Sequence, residues 1–211
     1  RKQQHQLSKF TIFISKMVEI ILASKSKVRK EILDKNNIYN QVKPSNVDED
    51  IVKLSLLKNK ATPEDISKNL AELKANKVSQ VNKDVLVLGA DSVIDLDGEL
   101  ISKPENRKEA LDILKKLNGK KHNLISSVCI SKNGAMIWNF TDMATLTMKN
   151  FNENELKVYL SKIPDEILYA YNVYQIEGEG KNLFLEIKGD ENTIMGLPIK
   201  KIKDYLSNYE S

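Results

Sequence analysis

Residues 84–96, DVLVLGADSVIDL, constrain this chain more than any other stretch. Valine, leucine and isoleucine crowd the run. It is followed at once by Asp97-Gly98, a dipeptide suited to a two-residue hairpin because both positions need positive φ. The run therefore predicts a β-strand that turns back into ELIS (99–102). A second run, VEIILAS (18–24), has no polar alternation and reads as a strand buried on both faces. A carboxylate on such a strand is costly to bury without a partner, so Asp91 stands out before any chemistry is considered.

Helical patterns alternate with these strands. Ser24-Lys25-Ser26-Lys27 follows the first one, and Val28, Ile32 and Leu33 then share one face of a short helix with Ser26 as its expected N-cap. NIYNQVK (37–43) is expected as a strand ended by Pro44-Ser45. Thr62-Pro63-Glu64-Asp65 combines a cap, a proline at the first helical position and acids in the first turn, with Ile66, Leu70 and Leu73 as the inward stripe. Pro104 is expected to open a helix bearing Ala110, Ile113, Leu114 and Leu117, closed by Asn118-Gly119. HNLISSVCIS (122–131) and AMIWNFTDMATLTMK (135–149) read as long strands joined at Asn133-Gly134. Asn152 caps a helix with Glu155 three residues on, Phe151 and Leu156 are placed as a staple, and Leu156, Tyr159, Leu160 and Ile163 face inward. A glycine-punctuated stretch (177–180), a strand at NLFLEIKG and a helix begun by Pro198 follow. This order predicts an α/β or α+β fold, with a mixed sheet covered by helices.

Composition closes off several functional classes. With 211 residues, 41% of them hydrophobic and 29% charged, the chain suits one globular domain, placed over residues 17–211. No stretch approaches the roughly 18 apolar residues of a membrane helix, so no membrane role and a cytoplasmic location are expected. The net charge of +4 arises outside that domain. Residues 1–16 carry Arg1, Lys2, Lys9 and Lys16 and no acid; subtracting these four from 33 bases leaves 29, against 29 acids. A formally neutral domain offers no broad footprint for nucleic acid. Residues 1–16, with a short FTIFI patch, are read as a disordered upstream extension or cloning scar ahead of a start at Met17. Cys129 is the only cysteine and is expected to be a buried hydrophobe. With only His5 and His122 present, a zinc site or a Ser-His-Asp triad is not expected, and no G-x-S-x-G elbow occurs. Chemistry falls to carboxylates and cations.

Four places can supply it. In S-K-S-K-V-R-K (24–30), a serine-rich turn opens a helix whose N-terminal N–H groups suit a phosphate. Arg29 adds a bidentate fork, in a chain with 30 lysines and only three arginines. Taken alone, this is equally a capped surface helix with solvated bases. Asp91, in G-A-D-S-V (89–93), is either a strand-end turn former or a metal ligand or general base. Lys74 sits on the rim of a helix stripe, where a snorkelling lysine would look the same. Lys103 lies between a strand and a proline-started helix.

Together these pieces resemble a known family. LASKSKVRKEIL, VDED (47–50), NLAELKA (69–75), LGADSVIDLDGELISKP (88–104), a GKKH turn, IEGEG (176–180) and MGLPI (195–199) occur in the order seen in the Maf-like nucleotide pyrophosphatases. The resemblance runs from about Val18 to the last helix. It implies an ITPase-like Maf fold: a mixed, largely antiparallel twisted sheet flanked by helices, with two lobes around a cleft. It implies a homodimer that cuts nucleoside triphosphates to monophosphate and pyrophosphate with Mg²⁺ or Mn²⁺. The family's alternative role is a nucleotide-binding regulator of septum formation without turnover. By the same resemblance Ser24, Ser26 and Arg29 hold phosphates with Lys30 nearby, and Lys74 and Lys103 bind the triphosphate. Glu49 holds metal, Asp91 is metal ligand or water-activating base, and Glu177 takes the family's Gln/Glu position. Glu177 resembles the branch acting on 7-methyl-GTP. Two positions depart from the pattern: Ser102 stands where glycine precedes the lysine, and Ala170-Tyr171-Asn172-Val173-Tyr174 replaces Ala-Gly-x-Tyr.

Overall fold

The computed structural model describes residues 18–209; the expectations for residues 1–16 and for Met17 as a start lie outside these. The elements run β1 (Ile20–Leu22), α1 (Lys27–Lys35), β2 (Asn40–Val42), α2 (Glu49–Lys58), α3 (Pro63–Val81), β3 (Leu86–Leu96), β4 (Glu99–Ile101), α4 (Arg107–Leu117), β5 (Lys121–Lys132), β6 (Ala135–Met148), α5 (Glu153–Ser161), α6 (Asp165–Tyr171), β7 (Phe184–Lys188), α7 (Glu191–Ile194) and α8 (Ile199–Ser207). The seven strands form one sheet in the order β2-β1-β3-β5-β6-β7, with β4 on the far end of β3. Only β1 pairs in parallel, with β2 and β3; every other pairing is antiparallel. The expected mixed, largely antiparallel sheet is what forms.

Local signals explain most of these elements. Ser26 Oγ accepts from Arg29 N and caps α1; Thr62 and Asp65 close a reciprocal capping box on α3, as Asn152 and Glu155 do on α5. Asp97-Gly98 and Asn133-Gly134 turn with positive φ at all four residues. Two cores result. One packs Ile20, Leu22, Ile32, Leu33, Leu88, Ile130 and Ile202; the other packs Ile94, Leu114, Leu117, Leu146, Leu156, Leu168 and Phe184. Strands β3 and β5 pass through both, so two lobes share one rigid sheet. Each fully buried leucine or isoleucine contributes about 1.5–3 kcal/mol of transfer free energy. Among the described residues, no helix is long and apolar enough to cross a membrane.

Three local expectations are corrected. Helix α4 begins after Asn106, whose side chain accepts from Glu109 N, and Pro104 stays in the preceding loop. The proline fits a helix start, but the asparagine supplies the acceptor that a start needs. Ile113 is half-buried and packs against the core with Leu114 and Leu117, as expected. Leu73 faces outward, because the buried stripe of α3 is Ile66, Leu70, Ala71, Lys74, Ala75 and Val78. Lys74 thus lies within the stripe instead of on its rim. Helices α2, α6 and α7 were not expected: α2 buries no residue, α6 has no side-chain cap bond and α7 is one turn long.

Candidate active site

The sheet itself makes the opening. One edge of β3 is covered by β5 from Val87 to Asp95. The other is covered by β1 only at residues 86–88 and by β4 only at 94–96, which leaves residues 89–93 without a strand partner on that side. The chain leaving β1 and the chain leaving β4 diverge there. Between them lies a cleft of about 640 Å³, lined by Ser24, Ser26, Arg29, Glu49, Lys74, Asp91, Lys103 and Glu177 among others. Crevices where neighbouring strands part are where α/β sheets receive ligands. Beside it, a Cβ on Gly89 would stand 2.3 Å from the Ala71 carbonyl oxygen, so α3 can press on β3 only because the residue is glycine.

One wall is built around Arg29. Its Nε donates to the Gly196 carbonyl (2.9 Å), Nη1 to Ser24 Oγ (3.2 Å) and Nη2 to Ser92 Oγ (3.2 Å). Ser92 Oγ in turn meets Ser126 Oγ at 2.7 Å, and Ser126 donates to the Thr193 carbonyl. Gly196 has φ +106°, and a Cβ there would crowd Arg29 Nε at 3.2 Å. Burial lowers the Arg29 pKa and the nearby Asp91 and Glu49 charges oppose that fall; a guanidinium stays charged regardless. Every direct partner is neutral. The positive charge therefore remains available to an anion in the cleft.

The other wall is built around Lys74, which is buried. Its ammonium donates to Asp91 Oδ1 (3.0 Å), Glu49 Oε1 (2.9 Å) and the Ala90 carbonyl (3.1 Å). Leu88 gives its carbonyl to Ala23 N on the same edge, so two residues on, Ala90 presents a carbonyl that the parted strands leave to Lys74. Asp91 Oδ2 is buried without any hydrogen-bond partner. Desolvation, only partly offset by Lys74, raises the Asp91 pKa above the ordinary carboxylate value. Desolvation also pushes on Glu49, but attraction and a hydrogen bond from Lys74, with Lys53 and Lys103, outweigh it and hold the Glu49 pKa low. Two carboxylates share one lysine, and they are poised differently.

The remaining expected residues divide. Lys103 enters the cleft on the loop after β4; desolvation there and then the Arg29 charge lower its pKa, opposed by Glu49 and Asp91. Glu177 lines the mouth, where its Oε1 accepts from Gln175 Nε2 at 2.9 Å. Lys30 is the correction: it does not line the cleft, and its ammonium pairs with Asp34 (2.9 Å) on the outer side of α1. A step of about 100° along α1 turns position 30 away from Arg29 and toward Asp34, one turn further on. Lys53 and Ser92 also line the cleft and were passed over. Lys53 was findable: Asp48 caps α2, and a helix so started puts position 53 one turn beyond Glu49. The two departures from the family pattern meet each other, since Asn172 Nδ2 donates to the Ser102 carbonyl at 3.3 Å.

Comparison with known proteins identifies the family. The family described as "Maf-like protein" matches residues 19–209. A nucleoside triphosphate pyrophosphatase from Pelagibacter ubique (strain HTCC1062) is 71% identical over 188 residues, covering 89% of this chain and 96% of that one. A 7-methyl-GTP pyrophosphatase from Brucella abortus biovar 1 (strain 9-941) is 36% identical, over 86% of this chain and 92% of its own. A crystal structure of a nucleoside-triphosphatase, dITP/XTP pyrophosphatase, from Mycobacterium abscessus covers 89% of this chain and 90% of its own with a TM-score of 0.41 at 12% identity, a likeness too slight to decide fold or function. The match across nearly all of the described residues settles the family: this chain is a member of the Maf-like proteins.

Proposed function

We propose that the cleft hydrolyses nucleoside triphosphates between the α and β phosphorus atoms, releasing the monophosphate and pyrophosphate. One observation carries the reading: residues from opposite ends of the chain, Arg29, Glu49, Lys74, Asp91, Lys103 and Glu177, line a single cleft. The names of relatives 71% and 36% identical support it.

The donor set fits one hard divalent cation, Mg²⁺ or Mn²⁺. Glu49 and Asp91 converge on Lys74, Asp91 Oδ2 has no partner, and among the described residues no histidine or cysteine lines the cleft. Among the described residues, no group of three or more His, Cys, Asp or Glu could hold a metal. Two carboxylates completed by water and substrate phosphate are the usual Mg²⁺ arrangement. Glu49 and Asp91 would hold the ion, which when bound supplies charge against the phosphate oxygens and acidifies water. Lys74 fixes Asp91 through Oδ1 and leaves Oδ2 to accept a proton. Water attacks the α phosphorus, its proton passes to Asp91 Oδ2, and the bond to the bridging oxygen breaks with both electrons leaving on pyrophosphate. Arg29 and Lys103 stabilise the charge that develops on the departing group, the contribution that dominates such reactions.

The base falls to the Glu177 end. An acceptor-only carboxylate favours a base that presents donors or positive charge, as 7-methylguanine does. Identity does not select among bases, because a relative named simply nucleoside triphosphate pyrophosphatase, from Ruegeria pomeroyi, is also 36% identical. The test is a panel of canonical and modified triphosphates with Mg²⁺ or Mn²⁺, scored for both phosphate products. Monophosphate plus pyrophosphate is expected. Diphosphate plus orthophosphate would assign the wrong bond, and tight binding without turnover would leave a regulatory protein.

A further inference from the structure

The cations of the cleft are not equally free. The Lys74 ammonium is occupied by two carboxylates and a carbonyl, and Arg29 spends its Nε, Nη1 and Nη2 on Gly196, Ser24 and Ser92. Among the described residues, three cleft-lining lysines have neither a salt bridge nor a side-chain hydrogen bond: Lys25, Lys53 and Lys103. Lys25 belongs to the serine loop and Lys103 is already assigned. Lys53 belongs to α2, and that helix needs explaining.

Helix α2 buries none of its residues and shows Ile51, Leu54 and Leu57 to solvent at 64%, 60% and 44% exposure. Core burial therefore does not account for its position. Its half-buried face is Glu49, Val52, Lys53 and Leu56, spaced i, i+3, i+4 and i+7. The two charged members of that face both line the cleft, and among the described residues the helix's one salt bridge is Glu49 to Lys74. The helix is placed by what it presents to the cleft.

We propose that Lys53 is a further substrate-binding residue, whose ammonium takes a phosphate of the triphosphate tail beside the Glu49–Asp91 pair. This rests on the pyrophosphatase reading of the same cleft. Charge supports it: Lys53 already acts on Glu49, Asp91 and Lys103, and with Arg29 and Lys103 it forms a set of cations that repel one another until an anion enters. It also gives α2 a task, since a triphosphate bridging Lys53 and Arg29 would tie the helix down across the cleft.

The experiment compares wild type, Lys53→Gln, Lys53→Arg and Lys58→Gln, the last a control at the exposed far end of the same helix. An α,β-methylene triphosphate with Mg²⁺ is titrated by calorimetry, and kcat/KM is measured with the best hydrolysed nucleotide. Losing one charged hydrogen bond predicts that Lys53→Gln weakens analogue binding by about tenfold to a hundredfold, with Lys53→Arg restoring most of it and Lys58→Gln unchanged. Thermal unfolding of Lys53→Gln should match wild type. Affinity of Lys53→Gln within twofold of wild type, or an equal loss in Lys58→Gln, overturns the proposal. A wild type that binds the analogue but releases no pyrophosphate defeats the pyrophosphatase reading alone, because the affinities still report on Lys53. A wild type that does not bind the analogue defeats both.

Discussion

The two walls of the cleft use the same ingredient in opposite ways. Arg29 is held by a carbonyl and two hydroxyls, so its charge is positioned but not neutralised. Lys74 is held by two carboxylates, so its charge is consumed in keeping Asp91 and Glu49 together. A motif treats both as phosphate-binding cations. The geometry separates them: Arg29 offers an uncompensated charge to the cleft, and Lys74 holds the two carboxylates together. Burial sharpens the contrast, because in a poorly solvated cavity a bare cation attracts an anion strongly while a matched ion pair does not.

The largest effect should come from the carboxylate wall. Asp91→Asn keeps the volume and an acceptor for Lys74 but cannot take a proton, so turnover should fall about a thousandfold with the fold intact, at the size expected for loss of a general base. Circular dichroism and pyrophosphate release measure the two halves of that statement. Turnover above a tenth of wild type would remove Asp91 from the reaction.

Next comes a pair that tests the comparison directly. Lys74→Met leaves two carboxylates without their shared partner and should destabilise the protein by about 3–5 kcal/mol, the cost of breaking a buried ion pair from one side. Arg29→Met leaves only neutral hydroxyls and a carbonyl unsatisfied, and should cost about 1–3 kcal/mol. In triphosphate affinity the order should reverse, with Arg29→Met the weaker binder. Urea unfolding and calorimetric titration read both. Equal losses in both assays would mean that the walls are not distinct.

Acid–base linkage gives a smaller, signed effect in metal-free protein. Asp91 has a folded pKa above its ordinary 3.8, mainly through desolvation, so between those values the folded state holds more protons than the unfolded one and stability falls as pH rises. Glu49 has a folded pKa below its ordinary 4.5; its contribution is present above that value and lost as pH falls through the lowered one. Subtracting the stability of Asp91→Asn from wild type should therefore give a curve that declines upward from about pH 4. The same subtraction with Glu49→Gln should give one that rises. Two curves of the same sign would show that Lys74 serves both acids alike.

Legibility in the sequence followed how locally each feature is determined. Caps, I′ turns and long strands depend on a few neighbouring residues, and Ser26, Thr62, Asn152, Asp97-Gly98 and Asn133-Gly134 all lie where they were read. Helix α2 escaped because its half-buried face mixes Val52 and Leu56 with the cleft-lining Glu49 and Lys53, while Ile51, Leu54 and Leu57 lie outward. Lys74 was misplaced by one notch because apolar spacing alone draws the stripe through Leu73. Only the approach of α3 to Gly89, a contact across the fold, turns Lys74 inward and Leu73 out. Lys30 followed the motif by proximity in sequence, whereas a helix separates neighbours by about 100°.

The smallest effect belongs to the loop where the chain departs from its family. Asn172 has φ 67° and ψ −161°, a backbone region that is essentially glycine's own. Its side chain offsets part of the strain by accepting from Val173 N (2.8 Å) and donating to the Ser102 carbonyl. At most loop positions alanine is more stable than glycine by about 0.4–1 kcal/mol, because glycine has more unfolded-state freedom to lose. At position 172 the order should invert. Both variants lose the two side-chain hydrogen bonds, but Asn172→Gly relieves the strain that Asn172→Ala keeps, and glycine should be the more stable by about 1–2 kcal/mol. Since the Ser102 carbonyl adjoins Lys103, both variants should also raise KM, by about twofold to fivefold if the lost bond is worth the usual 0.5–1 kcal/mol. Alanine more stable than glycine would show that the turn is not strained and that Asn172 is held there only by packing.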